Sequence, residues 1–414
     1  MNSRWRIAVV ITRTPVRGLR LASAEARGLP PRDAVLMAAQ FLQLGAEVRV
    51  LDQDTERLSD RIVRREVRLW RADLVLLWSG GSAVADNPVP DAGPLRSLLS
   101  SWQGAGPVVA AGPLASRYGA ELLATFPRLA GALTAANHPA LVGAWRPDQV
   151  PGLLHRPDGR RDAPVVATPA LPADAPPVFP HVLPAWHALP LDALDARTPD
   201  GARRADVLCG QGGLAGGLEQ VRHAVHRGGA RFIVFTDRDL GADIRLVRGL
   251  SRGMYGVAPG IPWSCRVRAD RVDPMLALTL ANGGCREMLV CPPVEPSAPG
   301  LAPMDDPVRP RLESAVDAAR ATGMGVAVLH VIGRPGHTRD SLAAWQRWFG
   351  DRRMVVHAHV RVLHAGDGGP GQPALREAHA RAGCWQNELT PRDVERAVRE
   401  VSDRSRLAAG VAGA

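Results

Sequence analysis

A short run near the carboxyl end of the chain places ionisable side chains at alternate positions. His357, His359 and Arg361 alternate with alanine and valine between residues 354 and 363. Alternation with a period of two is typical of a half-buried β-strand, so these side chains are expected to share one face. They suit a substrate or anion pocket, whereas a metal site would need a third ligand. A polar interior without a ligand is the competing interpretation. Candidate companions are Asp237, Arg266 and Arg268.

The cysteines offer thiols, but their spacing is not that of a metal-binding motif. The five of them, with no CxxC pair, are Cys209, Cys265, Cys285, Cys291 and Cys384. An odd number of cysteines without a secretory signal indicates a reducing, cytoplasmic location. Cys265 and Cys285 stand in apolar surroundings, which predicts small buried side chains.

Small and polar residues follow several predicted strands. The candidate ligand-binding residues of this kind are Thr12, Ser79, Gly80, Gly81, Ser82, Gly112 and Pro113. Open α/β sheets bind ligands beyond the carboxyl ends of their strands, and glycine lets a backbone approach a nucleotide closely. The alternative is that these glycines only terminate strands.

Short apolar runs separated by helical patterns organise the first third of the chain. The predicted strands there are Arg6–Val10, Glu47–Leu51, Asp73–Trp78 and Val108–Ala111. Between the first two, residues 33–44 have apolar residues at helical spacing, and Gly45 ends that helix. This alternation predicts a doubly wound, Rossmann-like parallel sheet over residues 1–145.

The following segment differs in composition, because it is rich in proline. Twelve prolines lie between Trp145 and Pro199, which predicts a proline-rich linker over residues 146–200. Strand and helix patterns then alternate again, and the predicted strands are Arg231–Phe235, Pro262–Val267, Glu287–Val290, Gly325–Val331 and Met354–Leu363. Repeated β/α units predict a partial TIM-like barrel over residues 201–375. Residues 376–414 are expected to form a helical tail.

Composition excludes several chemistries. The chain has no lysine, so all 51 of its basic residues are arginine. A pyridoxal phosphate Schiff base, a Walker-type phosphate loop and a lysine general base are therefore excluded. Although the net charge is +10, the arginines are scattered and aromatic residues make up only 4%, which argues against nucleic-acid binding. No apolar run is long enough to predict a membrane span.

Motifs along nearly the whole chain resemble one family. Residues 6–140 are similar to the cobalamin-binding domain that precedes the catalytic barrel in cobalamin-dependent radical S-adenosylmethionine enzymes. The similar elements there are Pro30-Pro31, Gly45–Asp52 and Val108–Ser116. Further elements that resemble the barrel of this family are Pro184–Asp192, Phe235–Leu240, Trp263–Asp270, Gly284-Cys285 and Gly333–Thr338. The resemblance implies a cobalamin-binding domain followed by a partial barrel, with cobalamin as the cofactor.

The chain departs from this family where the iron-sulfur cluster should be bound. The family pattern C-x3-C-x2-C supplies three thiolates, but only Cys209 remains here, with Gly213 and Gly216 at the other two positions. The path from Cys209 to Arg231 is also short for the family. We therefore predict that the 4Fe-4S cluster is absent.

Two further departures concern S-adenosylmethionine. His337 replaces an acidic residue of a family turn, and Cys291-Pro292-Pro293 replaces a glycine-containing approach to the adenosine. These changes argue against S-adenosylmethionine binding.

Three functions remain open after these departures. The favoured one is a cobalamin-binding, cluster-less relative that serves as an accessory or non-radical component of a specialised metabolic pathway, beside a partner enzyme or a small-molecule substrate. The second is a methyltransferase that uses polar methyl transfer from methylcobalamin. The third is a small-molecule binding protein that has lost both cofactors.

Overall fold

We describe the protein from a computed structural model. The described residues are 5–13, 32–53, 56–79, 92–103, 106–133, 141, 146–156, 164–168, 204–209, 213–237, 239–293, 306–332, 337–360, 362–363, 385–386, 393, 396–397 and 400.

The first sheet is a mostly parallel sheet of seven strands. Its strands are β1 (Arg6–Ile11), β2 (Glu47–Asp52), β3 (Leu74–Trp78), β4 (Val108–Ala111), β5 (Gly131–Leu133), β6 (Leu153–His155) and β7 (Val166–Ala167). Its helices are α1 (Arg32–Gln43), α2 (Asp60–Trp70), α3 (Gly93–Leu99) and α4 (Pro113–Thr125). The order is β2-β1-β3-β4-β5-β6-β7, and only β6 and β7 pair antiparallel to their neighbours.

Two apolar cores cover the two faces of this sheet. Successive residues of β1 alternate between them: Ile7 and Val9 pack in the core that contains α1, and Ala8 and Val10 pack in the core that contains α2, α3 and α4. This is the doubly wound arrangement, in which a central strand is buried on both faces and reads as a continuous apolar run.

The second sheet contains six parallel strands. Its elements are β8 (Arg204–Val207), α5 (Gly213–His226), β9 (Phe232–Phe235), α6 (Ile244–Val257), β10 (Trp263–Arg268), α7 (Pro274–Asn282), β11 (Cys285–Cys291), α8 (Val308–Arg320), β12 (Gly325–Ile332), α9 (Arg339–Asp351) and β13 (Val355–Val360). Its order, β13-β12-β11-β10-β9-β8, follows the chain without a reversal. Consecutive β/α units of this kind are the building plan of a (β/α) barrel.

The mixed α/β class with parallel sheets is confirmed, and three details differ from the expectation. β6 and β7 belong to the first sheet although they lie within the segment expected as a linker. β5 and β8 were not among the predicted strands. The single strand expected over residues 354–363 ends at Val360, and β14 (Val362–Leu363) instead pairs with β15 (Trp385–Gln386).

Candidate functional site

The first sheet brings two hydroxyl groups together at its topological switch point. Thr12 follows β1 and Ser79 follows β3, and these strands are neighbours although β2 lies between them in the chain. Thr12 Oγ1 lies 3.0 Å from Ser79 Oγ and donates to the Trp78 carbonyl at 3.2 Å. Both side chains are 4% exposed. The predicted residues Thr12 and Ser79 therefore do meet, at the edge where open α/β sheets bind ligands.

Trp78 lies at the same edge and was not foreseen as a site residue. It is the last residue of β3 and is 6% exposed. Its indole Nε1 is buried and has no hydrogen-bond partner among the described residues. A buried N–H without a partner costs about 1–3 kcal/mol. A ligand that offers an acceptor oxygen here would remove that cost. The signal in the sequence is a tryptophan directly before the Ser79 turn.

Gly112 supports this edge by packing. It has φ +86, and a Cβ at this position would lie 2.9 Å from the Ser79 carbonyl oxygen and 2.9 Å from the Trp78 ring. Glycine is therefore required both by its backbone conformation and by the contact with Trp78. Pro113 is the first residue of α4. The other predicted residues of this group, Gly80, Gly81 and Ser82, lie outside the described residues.

Cys209 lies at the corresponding place in the second sheet, two residues after the end of β8. Its side chain is 0% exposed and belongs to the apolar core. A Cβ on Gly217 of α5 would lie only 2.5 Å from the Cys209 Sγ. The sulfur is therefore packed against the helix backbone, an inert environment for a thiol.

The strand end beside Cys209 carries the predicted carboxylate. Asp237 follows β9, is 8% exposed and accepts a hydrogen bond from the Cys209 backbone N–H at 3.0 Å. The Asp237 carboxylate thus holds the end of β8 in place. The Cys209 backbone is therefore held by a hydrogen bond, and its sulfur is held by packing.

Arg266 and Arg268 share the face of β10 opposite to the core. Trp263, Cys265 and Val267 point into the core, and the alternate residue Arg266 is nevertheless only 7% exposed. Arg268 is held by two carboxylates, since its Nε donates to Asp270 Oδ1 at 2.9 Å and its backbone N–H donates to Asp239 Oδ1 at 3.2 Å. Arg266 is thus a buried arginine on this face, and its role in a pocket stays a prediction.

The predicted histidine pair belongs to β13, the strand at one edge of the same sheet. In the parallel register, His357 pairs with Leu329 and His359 with Val331. Val356, directly before His357 in β13, is part of the core. The side chains of His357 and His359, and all of Arg361, lie outside what the structure describes. The pocket formed by these three residues stays a prediction.

His337 belongs to a buried aromatic cluster. It is 6% exposed, and its ring stacks on His330 of β12 with centroids 6.1 Å apart and an interplanar angle of 25°. His330 in turn contacts Trp345 and Phe349 of α9, at centroid distances of 5.4 and 5.0 Å. The contacts of His337 and His330 therefore pack β12 against α9.

The remaining thiols of the second sheet are also core residues. Cys265 Sγ and Cys285 Sγ lie 3.9 Å apart, and both side chains are 2% exposed. The hydrogen bond with Cys285 and burial raise the pKa of the Cys265 thiol well above its ordinary value. A metal-binding cysteine needs the opposite shift. Their predicted role as small buried side chains is confirmed.

Neither a cluster of metal ligands nor a membrane-spanning helix is present among the residues that the structure describes. Within the described part of the chain, no three His, Cys, Asp or Glu side chains are grouped so that they could hold a metal ion. None of the described helices is long and apolar enough to cross a membrane.

Comparison with solved structures finds proteins of similar fold. No protein-family model matches the sequence, and no curated protein matches it. The chain is similar to the radical S-adenosylmethionine methyltransferase TsrM from Kitasatospora setae, solved with cobalamin and a 4Fe-4S cluster bound, with a TM-score of 0.57 and 15% identity over 86% of this chain and 72% of that one.

It is also similar to the cobalamin-dependent S-adenosylmethionine radical enzyme OxsB, solved with aqua-cobalamin bound. The TM-score is 0.55 at 10% identity, and the match covers 92% of this chain but only 55% of that one. The resemblance inferred from the sequence motifs is thus confirmed at the level of the fold.

Proposed function

We propose that the protein, which has the fold of cobalamin-dependent radical S-adenosylmethionine enzymes, binds cobalamin at the carboxyl edge of its first sheet. It acts without an iron-sulfur cluster of its own, as an accessory or non-radical component of a specialised metabolic pathway. The observation that carries the proposal is the buried edge formed by Thr12, Ser79 and Trp78 on this fold.

The chemistry of this edge fits cobalamin. The corrin ring carries acetamide and propionamide groups, each of which offers both an acceptor oxygen and N–H donors. The Trp78 indole N–H is a buried donor without a partner among the described residues. Because Thr12 donates its one hydroxyl proton to the Trp78 carbonyl, Ser79 Oγ keeps lone pairs that can accept from an amide. Bound cobalamin would supply a cobalt centre able to carry a methyl group.

The absence of a cluster is supported by the surroundings of Cys209. Residues 208–212 alone connect β8 to α5, and Gly213 and Gly216, at the positions of the two missing thiolates, are already part of that helix. The Cys209 sulfur is packed against Gly217. Three thiolates that converge on one cluster require a loop, whereas here Gly213 begins α5 and Gly216 lies within its first turn.

Cobalamin binding is tested by spectroscopy. Protein incubated with hydroxocobalamin and then desalted is expected to keep the visible absorption of the cofactor at about one equivalent. Trp78→Phe, which removes only the indole N–H, should weaken binding about 3- to 10-fold, the value of one hydrogen bond of about 0.5–1.5 kcal/mol. Trp102→Phe is the matched control, because Trp102 Nε1 is also buried without a described partner but packs in the core with α2, α3 and α4. Protein that keeps no cobalamin after desalting would contradict the proposal.

Cluster loss is tested by anaerobic reconstitution with iron and sulfide. We expect far less than four irons per chain, and the same iron content in Cys209→Ala, because the Cys209 thiol is buried in the core. A full complement of iron that disappears in Cys209→Ala would show that this cysteine binds a cluster after all.

The accessory role is tested with methylcobalamin-loaded protein. We expect the methyl-cobalt absorption to persist in the presence of candidate nucleophiles, including thiols and indoles. Stoichiometric loss of the methyl group to one of them would favour the methyltransferase alternative over the accessory role.

A further inference from the structure

A pocket lies at the end of the second sheet opposite to the carboxyl edge. Its volume is about 330 Å³, and it is bounded by the last turns of α6 and α7 and by the residues that lead into β10 and β11. Apolar side chains form most of its wall: Met254, Tyr255, Ala258, Ile261 and Ala281. Because the strands begin here, the pocket is separate from every strand end discussed above.

One large aromatic side chain of the pocket wall is exposed to solvent. Tyr255 of α6 is 63% exposed, and its hydroxyl donates to the Asn282 carbonyl at the end of α7. That hydrogen bond fixes the ring beside the opening. Met275 and Leu278 of α7, which are 67% and 45% exposed, do not line the pocket. An exposed aromatic side chain that is held beside a pocket is typical of an interaction surface.

The helix that carries Tyr255 is tightly held on its other sides. A Cβ on Gly249 or Gly253 would lie 2.4 Å from a leucine side-chain carbon of α5, and a Cβ on Gly283 would lie 2.5 Å from Ser251. These close contacts leave little freedom for α6 to move. The surface it presents to solvent is therefore preorganised, which lowers the cost of binding.

The same surface is positively charged. Arg245, Arg248 and Arg252 are exposed on α6 and precede Tyr255 at intervals of three or four residues, so all four share one helix face. Arg286 lies in the pocket wall. The sequence from residue 244 to residue 258 contains no acidic residue. Tyrosine and arginine are also the residues most enriched at interface hot spots.

We propose that this surface, called the α6/α7 face, docks an acidic segment of a partner protein. An apolar side chain of that segment fills the pocket beside Tyr255, and its carboxylates pair with Arg248, Arg252 and Arg286 in the bidentate geometry that guanidinium groups favour. A second copy of this chain is disfavoured because each copy carries a net charge of +10. The proposal rests on the accessory role proposed above, since it names the chemistry of the partner.

The test uses the full chain and a synthetic probe. A fluorescein-labelled peptide, in which two central leucines are flanked on each side by aspartates, is titrated with the protein and followed by fluorescence anisotropy. We expect saturable binding that weakens with added salt. Tyr255→Ser and Arg252→Glu are each expected to weaken it at least tenfold, because both positions are exposed and central to the surface.

Matched control variants come from α2 of the first sheet. Leu69 is 62% exposed, close to the value for Tyr255, and Arg65 is an exposed arginine on the same helix. Leu69→Ser and Arg65→Glu should leave the affinity unchanged. A peptide with lysine in place of aspartate, and one with serine in place of leucine, should both bind at least tenfold more weakly.

Several outcomes would overturn the proposal. They are no binding of the acidic peptide at concentrations up to ~1 mM, equal binding of the lysine peptide, equal effects of the α2 variants, or a dimer in analytical ultracentrifugation that Tyr255→Ser dissociates. Cobalamin retention is measured in the same variants and is expected to be unchanged. Failure of the docking surface is thereby distinguished from failure of cobalamin binding.

Discussion

Thr12 and Cys209 occupy corresponding places, each just beyond the first strand of its sheet, yet their surroundings differ. The Thr12 hydroxyl meets Ser79 Oγ at 3.0 Å beside an indole N–H that has no described partner. The Cys209 sulfur is buried against Gly217 of α5. The first edge has polar groups with hydrogen-bonding capacity, whereas at the second edge the Cys209 thiol is packed in the apolar core.

The comparison shows that two strand ends in corresponding positions can carry side chains with different chemistry. Both sheets are built from parallel strands whose carboxyl ends form one edge, and ligands in such folds bind at that edge. Which group binds there depends on a few side chains and on the length of one loop. The two edges can therefore diverge independently within one chain.

The largest expected effect is that of Gly112→Ala at the first edge. The substitution combines a positive φ of +86 with a Cβ 2.9 Å from the Ser79 carbonyl and the Trp78 ring. We expect it to lower the free energy of unfolding by about 3 kcal/mol, the sum of backbone strain and overpacking. Chemical denaturation followed by circular dichroism measures it.

Gly45→Ala is the control for that substitution. Gly45 has a similar φ of +82, but nothing lies within 4 Å of its Cβ position. Its replacement should cost only the backbone term of about 1–2 kcal/mol. Equal losses in the two variants would show that contact with Trp78 and Ser79 does not constrain this edge.

The next effect concerns packing at the second edge. Gly217→Ala places a methyl group 2.5 Å from the Cys209 Sγ, and we expect a loss of about 1–2 kcal/mol in the free energy of unfolding. Gly216→Ala, one position away on α5 with nothing within 4 Å of its Cβ position, should instead stabilise the protein by up to about 1 kcal/mol. Cys209→Ala should suppress the cost of Gly217→Ala. Additive effects of the two substitutions would mean that the sulfur is not the obstacle.

A pH dependence follows from the raised pKa of Cys265. Its neighbour Cys285 and burial keep the folded thiol protonated, whereas the unfolded thiol ionises above a pH of about 8.5. The unfolded state then binds fewer protons, so the free energy of unfolding falls as pH rises, by up to about 1.4 kcal/mol per pH unit. Denaturation at pH 7–10 measures the slope. Cys265→Ala should flatten it, and an unchanged slope would assign the effect to other groups.

The smallest expected effect is the difference in cost between substitutions of two buried threonines. Thr12→Val removes hydrogen bonds to the Trp78 carbonyl and to Ser79, and should cost about 1–2 kcal/mol because Ser79 loses its partner. Thr236→Val in the second sheet removes one bond, to the Val207 carbonyl at 3.2 Å, and should cost about 1 kcal/mol. A larger loss for Thr236→Val, measured by urea denaturation, would reverse the comparison between the two edges.

Local patterns predicted most of the elements. Apolar runs gave β1 to β4 and β9 to β12 to within a few residues, because strands buried on both faces are continuous hydrophobic segments. β8 was missed because Arg204 and Asp206 interrupt the run; these two side chains form an ion pair at 3.4 Å on the face away from the core. β6 and β7 were missed because they are short and proline-rich sequence surrounds them.

The candidate site was predictable only in part. Thr12 and Ser79 were found because each follows a predicted strand. The contribution of Trp78 was not predicted. A tryptophan at a strand end gives no sign in the sequence that its indole N–H will lack a partner. Likewise, the sequence drew attention to Cys209 only by resemblance to a family motif, and the surroundings of its side chain depend on a helix that begins at Gly213.

The amino-acid sequence specifies the α/β class and the two successive groups of parallel strands, and it has one cysteine, Cys209, within residues 209–216, because periodicity and residue identity are local properties. Only the tertiary structure decided that Thr12 meets Ser79, that the Trp78 indole lacks a described partner and that the Cys209 thiol packs against Gly217. Each of these depends on residues brought together from separate elements, and on the space that neighbouring helices and strands leave between them.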